Sequence, residues 1–103
     1  MSINNDSWSR VFERHENIIT RQIAGETILV PIRGKLTDME HIFTLNTVGN
    51  YIWENLDGEK NLAELMVLLL DQFEVSREDA EKDILEFIDQ VAETGLASEK
   101  SYG

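Results

Sequence analysis

Phe43 to Leu70 reads FTLNTVGNYIWENLDGEKNLAELMVLLL, and its reading decides the fold. The stretch begins as an apolar strand, changes period at Asn46, and continues as two helices broken at Asp57-Gly58. Asn46 is a good N-cap, because its side chain can accept from the free N–H groups of a first turn. Val48, Gly49, Ile52, Trp53 and Leu56 recur at helical spacing and predict a first helix of about three turns. Gly58 tolerates the left-handed conformation that ends helices, so Asp57-Gly58 is read as the stop. Asn61 can cap a second helix whose stripe is Leu62, Leu65, Met66, Leu69, Leu70 and Phe73. It carries no cluster of catalytic side chains.

Upstream of this stretch the periodicity is that of strands. Asn17 to Ile23 is rich in β-branched residues, Ala24-Gly25-Glu26 is a turn signal, and Thr27 to Ile32 alternates Ile28, Val30 and Ile32 on one face. Pro31 cannot donate to a ladder, so it predicts a bulge or the end of that strand near Val30. Met39 to Leu45 reads as a third strand, with His41, Phe43 and Leu45 opposite Glu40, Ile42 and Thr44. Downstream, Ser76 with Asp79 resembles a capping box, and Ile84, Phe87, Ile88 and Val91 line a third helix that Gly95 ends. Leu96 is expected to fold back on the core.

The expectation is an α+β domain, three strands followed by three helices, with helix-turn-helix proportions in the helical part. Residues 15–97 form the domain, residues 1–14 a flexible tail and residues 98–103 a frayed end. A chain of 103 residues suits one domain that buries roughly two thirds of its unfolded surface. There is no cysteine, so disulfides, thiolate metal sites and thiol nucleophiles are excluded. The N-terminus lacks the apolar core of a signal peptide, and the run Leu65 to Leu70 is too short to span a bilayer. A cytoplasmic protein is expected.

Chemistry is scarce. His15 and His41 lack metal-ligand spacing, the six glycines form no phosphate loop, and the six serines lie at termini or at a cap. No cofactor, metal or catalytic residue is expected. The third helix bears seven carboxylates, Glu78, Asp79, Glu81, Asp83, Glu86, Asp89 and Glu93, against Arg77 and Lys82. Between the apolar positions these read as a solvated face. With a net charge of −11 they also oppose nucleic acid, because phosphates require Lys and Arg. What remains is a peptide or protein partner of basic or neutral character. The third strand, followed directly by a helix, is a candidate sheet edge, and its unpaired N–H and C=O groups can accept another strand.

The ordered set Leu45-Asn46, Gly49, Ile52-Trp53, Asp57-Gly58, Glu64-Leu65, Asp83-Ile84, Phe87 and Gly95-Leu96 resembles the PqqD family of peptide chaperones, also called RiPP recognition elements. The resemblance covers about residues 17–97. It implies a winged helix-turn-helix, a three-stranded antiparallel sheet followed by three helices, acting as a non-catalytic domain that binds the leader of a ribosomally made precursor peptide and presents it to a modifying enzyme, often a radical SAM protein. It further implies that the leader adds beside the third strand, at Glu40, His41, Ile42, Phe43, Thr44 and Leu45, and lies on the third helix near Asp83, Ile84, Phe87 and Ile88. Gly49 and Trp53 are read as fold-defining. Two departures, a longer loop between the second and third strands and Gly-Leu-Ala in place of a closing Gly-Trp, leave the product open between pyrroloquinoline quinone and another modified peptide. A homodimer through the same strand edge and a winged-helix regulatory or nucleic-acid-binding protein are the alternatives carried forward.

Overall fold

A computed structural model describes residues 8–31 and 43–100. Within them the elements run β1 (Val11–Arg14), β2 (Ile18–Ile23), β3 (Glu26–Pro31), β4 (Phe43–Leu45), α1 (Thr47–Glu54), β5 (Asp57–Asn61), α2 (Leu62–Gln72), α3 (Arg77–Glu93) and β6 (Ala97–Lys100).

Strands β2, β3 and β4 form an antiparallel meander. Its first turn is the two-residue Ala24-Gly25, which joins the Ile23↔Glu26 pair. Both residues have positive φ, 53° and 82°, the sign pattern of a type I′ turn whose twist matches a hairpin. Strand β3 ends at Pro31, where the missing N–H does least harm to the ladder. Strand β4 pairs with it through Leu29↔Phe43, Ile28↔Thr44 and Thr27↔Leu45. Three antiparallel strands and three helices in a mixed α/β chain agree with the sequence reading.

Each helix begins at a local cap. Asn46 Oδ1 accepts from Gly49 N at 2.7 Å, and Ser76 Oγ accepts from Asp79 N at 3.1 Å. Asn61 and Glu64 form a reciprocal capping box, each side chain accepting the other's backbone N–H at 2.8 Å. Helix α3 closes in a Schellman motif, with Leu96 N donating to Val91 O and Gly95, at φ 83°, donating to Ala92 O. That turn drives Leu96 into the core, where it is fully buried.

The apolar stripes of the helices meet over Trp53, which is 2% exposed. Leu62, Leu65, Met66 and Leu69 of α2 and Ala80, Ile84, Ile88 and Val91 of α3 surround it in one cluster with Leu29 and Leu45 of the meander. Trp53 therefore fills the core, as its place on the stripe predicts.

A second sheet, in the order β5-β1-β6, departs from the sequence expectation. Residues 11–14, read as tail, are its central strand, with Val11 and Phe12 buried. Their burial pattern, two adjacent buried residues followed by two exposed ones, lacks the alternation that marks a strand in a sequence. Residues 98–100, read as frayed, pair with β1 through Phe12↔Glu99 and Glu13↔Ser98. The Asp57-Gly58 break is also used differently. Helix α1 already stops at Glu54, and Gly58, at φ 79°, lies inside β5 where the register with β1 slips. The left-handed φ is what calls for glycine in this bulge, and a Cβ there would also crowd the Glu13 side chain, 3.0 Å from its Oε1. Asp57 holds the bulge by accepting from Glu59 N and Lys60 N, at 3.0 and 3.1 Å, and from Lys60 Nζ.

Candidate functional site

The site is built where the meander passes into the helices. β4 lies at the end of its sheet, paired with β3 on one side. Among the described residues its other edge has no partner strand. In such a strand, alternate N–H and C=O groups point away from the sheet and remain free to bond.

Its side chains divide between two faces. Phe43 is half-buried and Leu45 buried, both packed with the helical core, whereas the intervening Thr44 is exposed. Phe43 meets Phe87 of α3 edge to face, with ring centroids 6.4 Å apart and planes at 85°. This geometry sets the positive rim of one ring against the negative face of the other.

Beside this pair runs a groove of about 180 Å³ between the start of α1 and the middle of α3. Asn46, Val48, Gly49 and Ile52 form one wall, and Asp83, Glu86, Phe87 and Gln90 form the other. The latter four are three or four residues apart in sequence and so share one helix face. Gly49 makes the groove by what it lacks: a Cβ would stand 3.2 Å from Asn46 Oδ1 and 3.5 Å from Phe87 Cε1. At the C-terminal end of β4 lies a broader recess lined by Gln22, Thr27, Thr44, Leu45, Thr47 and Asn50, with Asn46 common to both.

The residues singled out from the sequence therefore separate. Phe43, Thr44 and Leu45 stand on the edge strand, and Asp83 and Phe87 line the groove. Ile84 and Ile88, at 0% and 2% exposure, lie behind it in the core, because each step along a helix turns by about 100° and places them on the inward row. Glu40, His41 and Ile42 lie outside the described residues. Val48, Gly49, Glu86 and Gln90 are groove residues that the sequence reading did not select, although the spacing of Glu86 and Gln90 from Asp83 and Phe87 carried the signal.

The groove's electrostatics are one-sided. Asp83 is half-buried and Glu86 exposed, and neither forms an ion pair among the described residues, whereas Arg77 pairs with Glu81 at the start of α3. The same residues contain no group of three or more His, Asp or Glu placed to hold a metal ion. No helix among them is long and apolar enough to cross a membrane.

Residues 26–97 match the family model described as Coenzyme PQQ synthesis protein D (PqqD), in agreement with the resemblance read from Leu45 to Leu96. No curated protein matches the chain. Among solved structures, TbiB1 in complex with the TbiA(beta) leader peptide matches 88% of this chain and 98% of its own, with a TM-score of 0.64 and 22% identity. The latter is a likeness of fold.

Proposed function

The chain belongs to the PqqD family, and from that premise we propose that it is a non-catalytic peptide-binding protein acting in the cytoplasm. It takes the leader of a ribosomally synthesised precursor as an extra strand on the free edge of β4 and holds it against α3. The observation that carries this reading is the conjunction of a strand edge with no partner among the described residues and an adjacent groove, joined through the Phe43–Phe87 contact. Backbone bonds to β4 supply affinity independent of sequence, and side chains entering the groove supply selectivity. A ladder of five or six bonds at about 1 kcal/mol each, with one or two apolar anchors, reaches the micromolar range after ordering costs. The structural neighbour TbiB1, whose described complex contains a leader peptide, supports the same use of the fold.

In this reading β2 and β3 form the wing of a winged helix-turn-helix, and α3 takes the place of a recognition helix. Its seven acidic residues against two basic ones repel phosphate, which sets the nucleic-acid alternative aside. The bound leader is handed to a modifying enzyme, of the radical SAM kind that such domains serve. Two copies pairing through β4 would compete with the leader for the same edge.

Backbone methylation tests strand addition directly. Variants of a leader peptide that the chain binds, N-methylated one residue at a time, are expected to lose binding at every second position of the contact segment and to keep it between. Uniform tolerance of methylation would overturn the strand-addition reading.

A further inference from the structure

We propose that the groove selects a peptide carrying a lysine or arginine two positions from its apolar anchor. The inference rests on the peptide-binding reading above and specifies the ligand's chemistry. The groove has an apolar floor, Val48, Ile52 and Phe87, and two carboxylates at its margin, Asp83 and Glu86. Among the described residues neither carboxylate is neutralised by an ion pair, and no Lys or Arg lines the groove. A peptide lying there removes water from Asp83, which is already half-buried. Covering a charge without supplying a partner is costly, so a neutral peptide is disfavoured and an acidic one is repelled. A cationic side chain removes the cost.

The spacing follows from the two periodicities. Asp83 and Phe87 are four residues apart, a rise of about 6 Å on a helix. Side chains on one face of a strand recur every two residues, about 6.7 Å. An added strand that runs along α3 with its anchor against Phe87 brings the next same-face side chain to Asp83. The Lys and Arg stems also cover apolar surface while their charged ends reach Asp83 and Glu86.

Random peptides displayed on phage, selected on the full chain and on the Asp83→Asn, Glu86→Gln double variant, test this. Both substitutions keep side-chain shape and remove charge. Binders that shift the amide resonances of Phe43 to Asn46 are expected to be enriched in Lys or Arg two positions from Phe, Leu or Ile. Such peptides should bind the double variant roughly five- to tenfold more weakly, the scale of two partly exposed ion pairs, and the variant's own binders should lose the enrichment. Site-specific binders without basic enrichment, held equally by both proteins, would overturn this inference and leave peptide binding standing. Absence of any binder at the β4 edge would overturn both.

Discussion

Phe43 and Phe87 join the edge strand to the third helix, ring centroids 6.4 Å apart and nearly perpendicular. The contact couples the two surfaces that a bound peptide must touch together. Phe87, at 8% exposure, also belongs to the core, whereas Phe43 packs against it from the edge. Truncation should therefore separate their roles. Phe87→Ala is expected to cost about 3–4 kcal/mol of stability and Phe43→Ala about half of that. A double-mutant cycle in urea should return a coupling of about 0.5–1.5 kcal/mol. Additive losses would mean that the rings do not act as a pair.

Gly49 keeps the groove open. Alanine in a helix ordinarily gains about 1 kcal/mol over glycine. Here the added carbon meets Asn46 Oδ1, itself fixed by the Gly49 N–H, so that gain should vanish. Gly49→Val, bulkier still, is expected to destabilise by about 1–3 kcal/mol through overpacking against Phe87. Denaturant midpoints of both variants check the order.

The β1 strand makes the opposite claim from a flexible tail. Phe12 is 3% exposed and lies in the core cluster. Phe12→Ala should cost about 3–5 kcal/mol. Removal of residues 1–14 should abolish cooperative unfolding followed by circular dichroism. A truncated chain with an unchanged midpoint would refute the central place of β1.

These elements also mark what the sequence could and could not disclose. The caps at Asn46, Asn61 and Ser76, the Ala24-Gly25 turn and the Gly95 stop are local, each bond spanning a few residues, and all were legible. The β5-β1-β6 sheet joins Val11 to Asn61 and to Lys100, partners that no local pattern connects. Asp57-Gly58 disclosed a left-handed residue but not its use, because a helix stop and a bulge demand the same φ. At the site, Phe87 and Asp83 were legible as helix residues. The periodicity already set Asp83 on the solvated face and Ile84 on the apolar stripe, but the leader-binding face implied by the resemblance named both, so core and groove positions were read together.

Ala24 sits at φ 53° without the freedom of glycine. The left-handed region costs an L-residue roughly 1–2 kcal/mol. Ala24→Gly or Ala24→Asn should recover about 1 kcal/mol, a rise of about 4–8 °C in Tm. Differential scanning calorimetry checks it, and a fall in Tm would show that the turn holds no strain.

Asp57 is held well below its usual value of 3.8, chiefly by the hydrogen bond from Lys60 and further by the backbone N–H groups of Lys60 and Glu59. A lowered folded-state pKa gives stability that is present above the unfolded value and lost as pH falls through the folded one. The pair is partly solvent-exposed, so water and salt screen most of this contribution. Asp57→Ala should be less stable than the parent at pH 7, with the gap narrowing only below about pH 4. A gap that is constant with pH would assign the effect to the bulge rather than to the charge.

The most direct test of the central claim is a ¹⁵N-HSQC titration of the full chain with the leader peptide of any small precursor encoded beside it. Strand addition predicts shifts concentrated at Phe43 to Asn46 and along the Asp83, Glu86, Phe87 and Gln90 face of α3, with newly slowed amide exchange on the free edge of β4. A spectrum unchanged at millimolar peptide, or shifts confined to the β5-β1-β6 sheet, would contradict it.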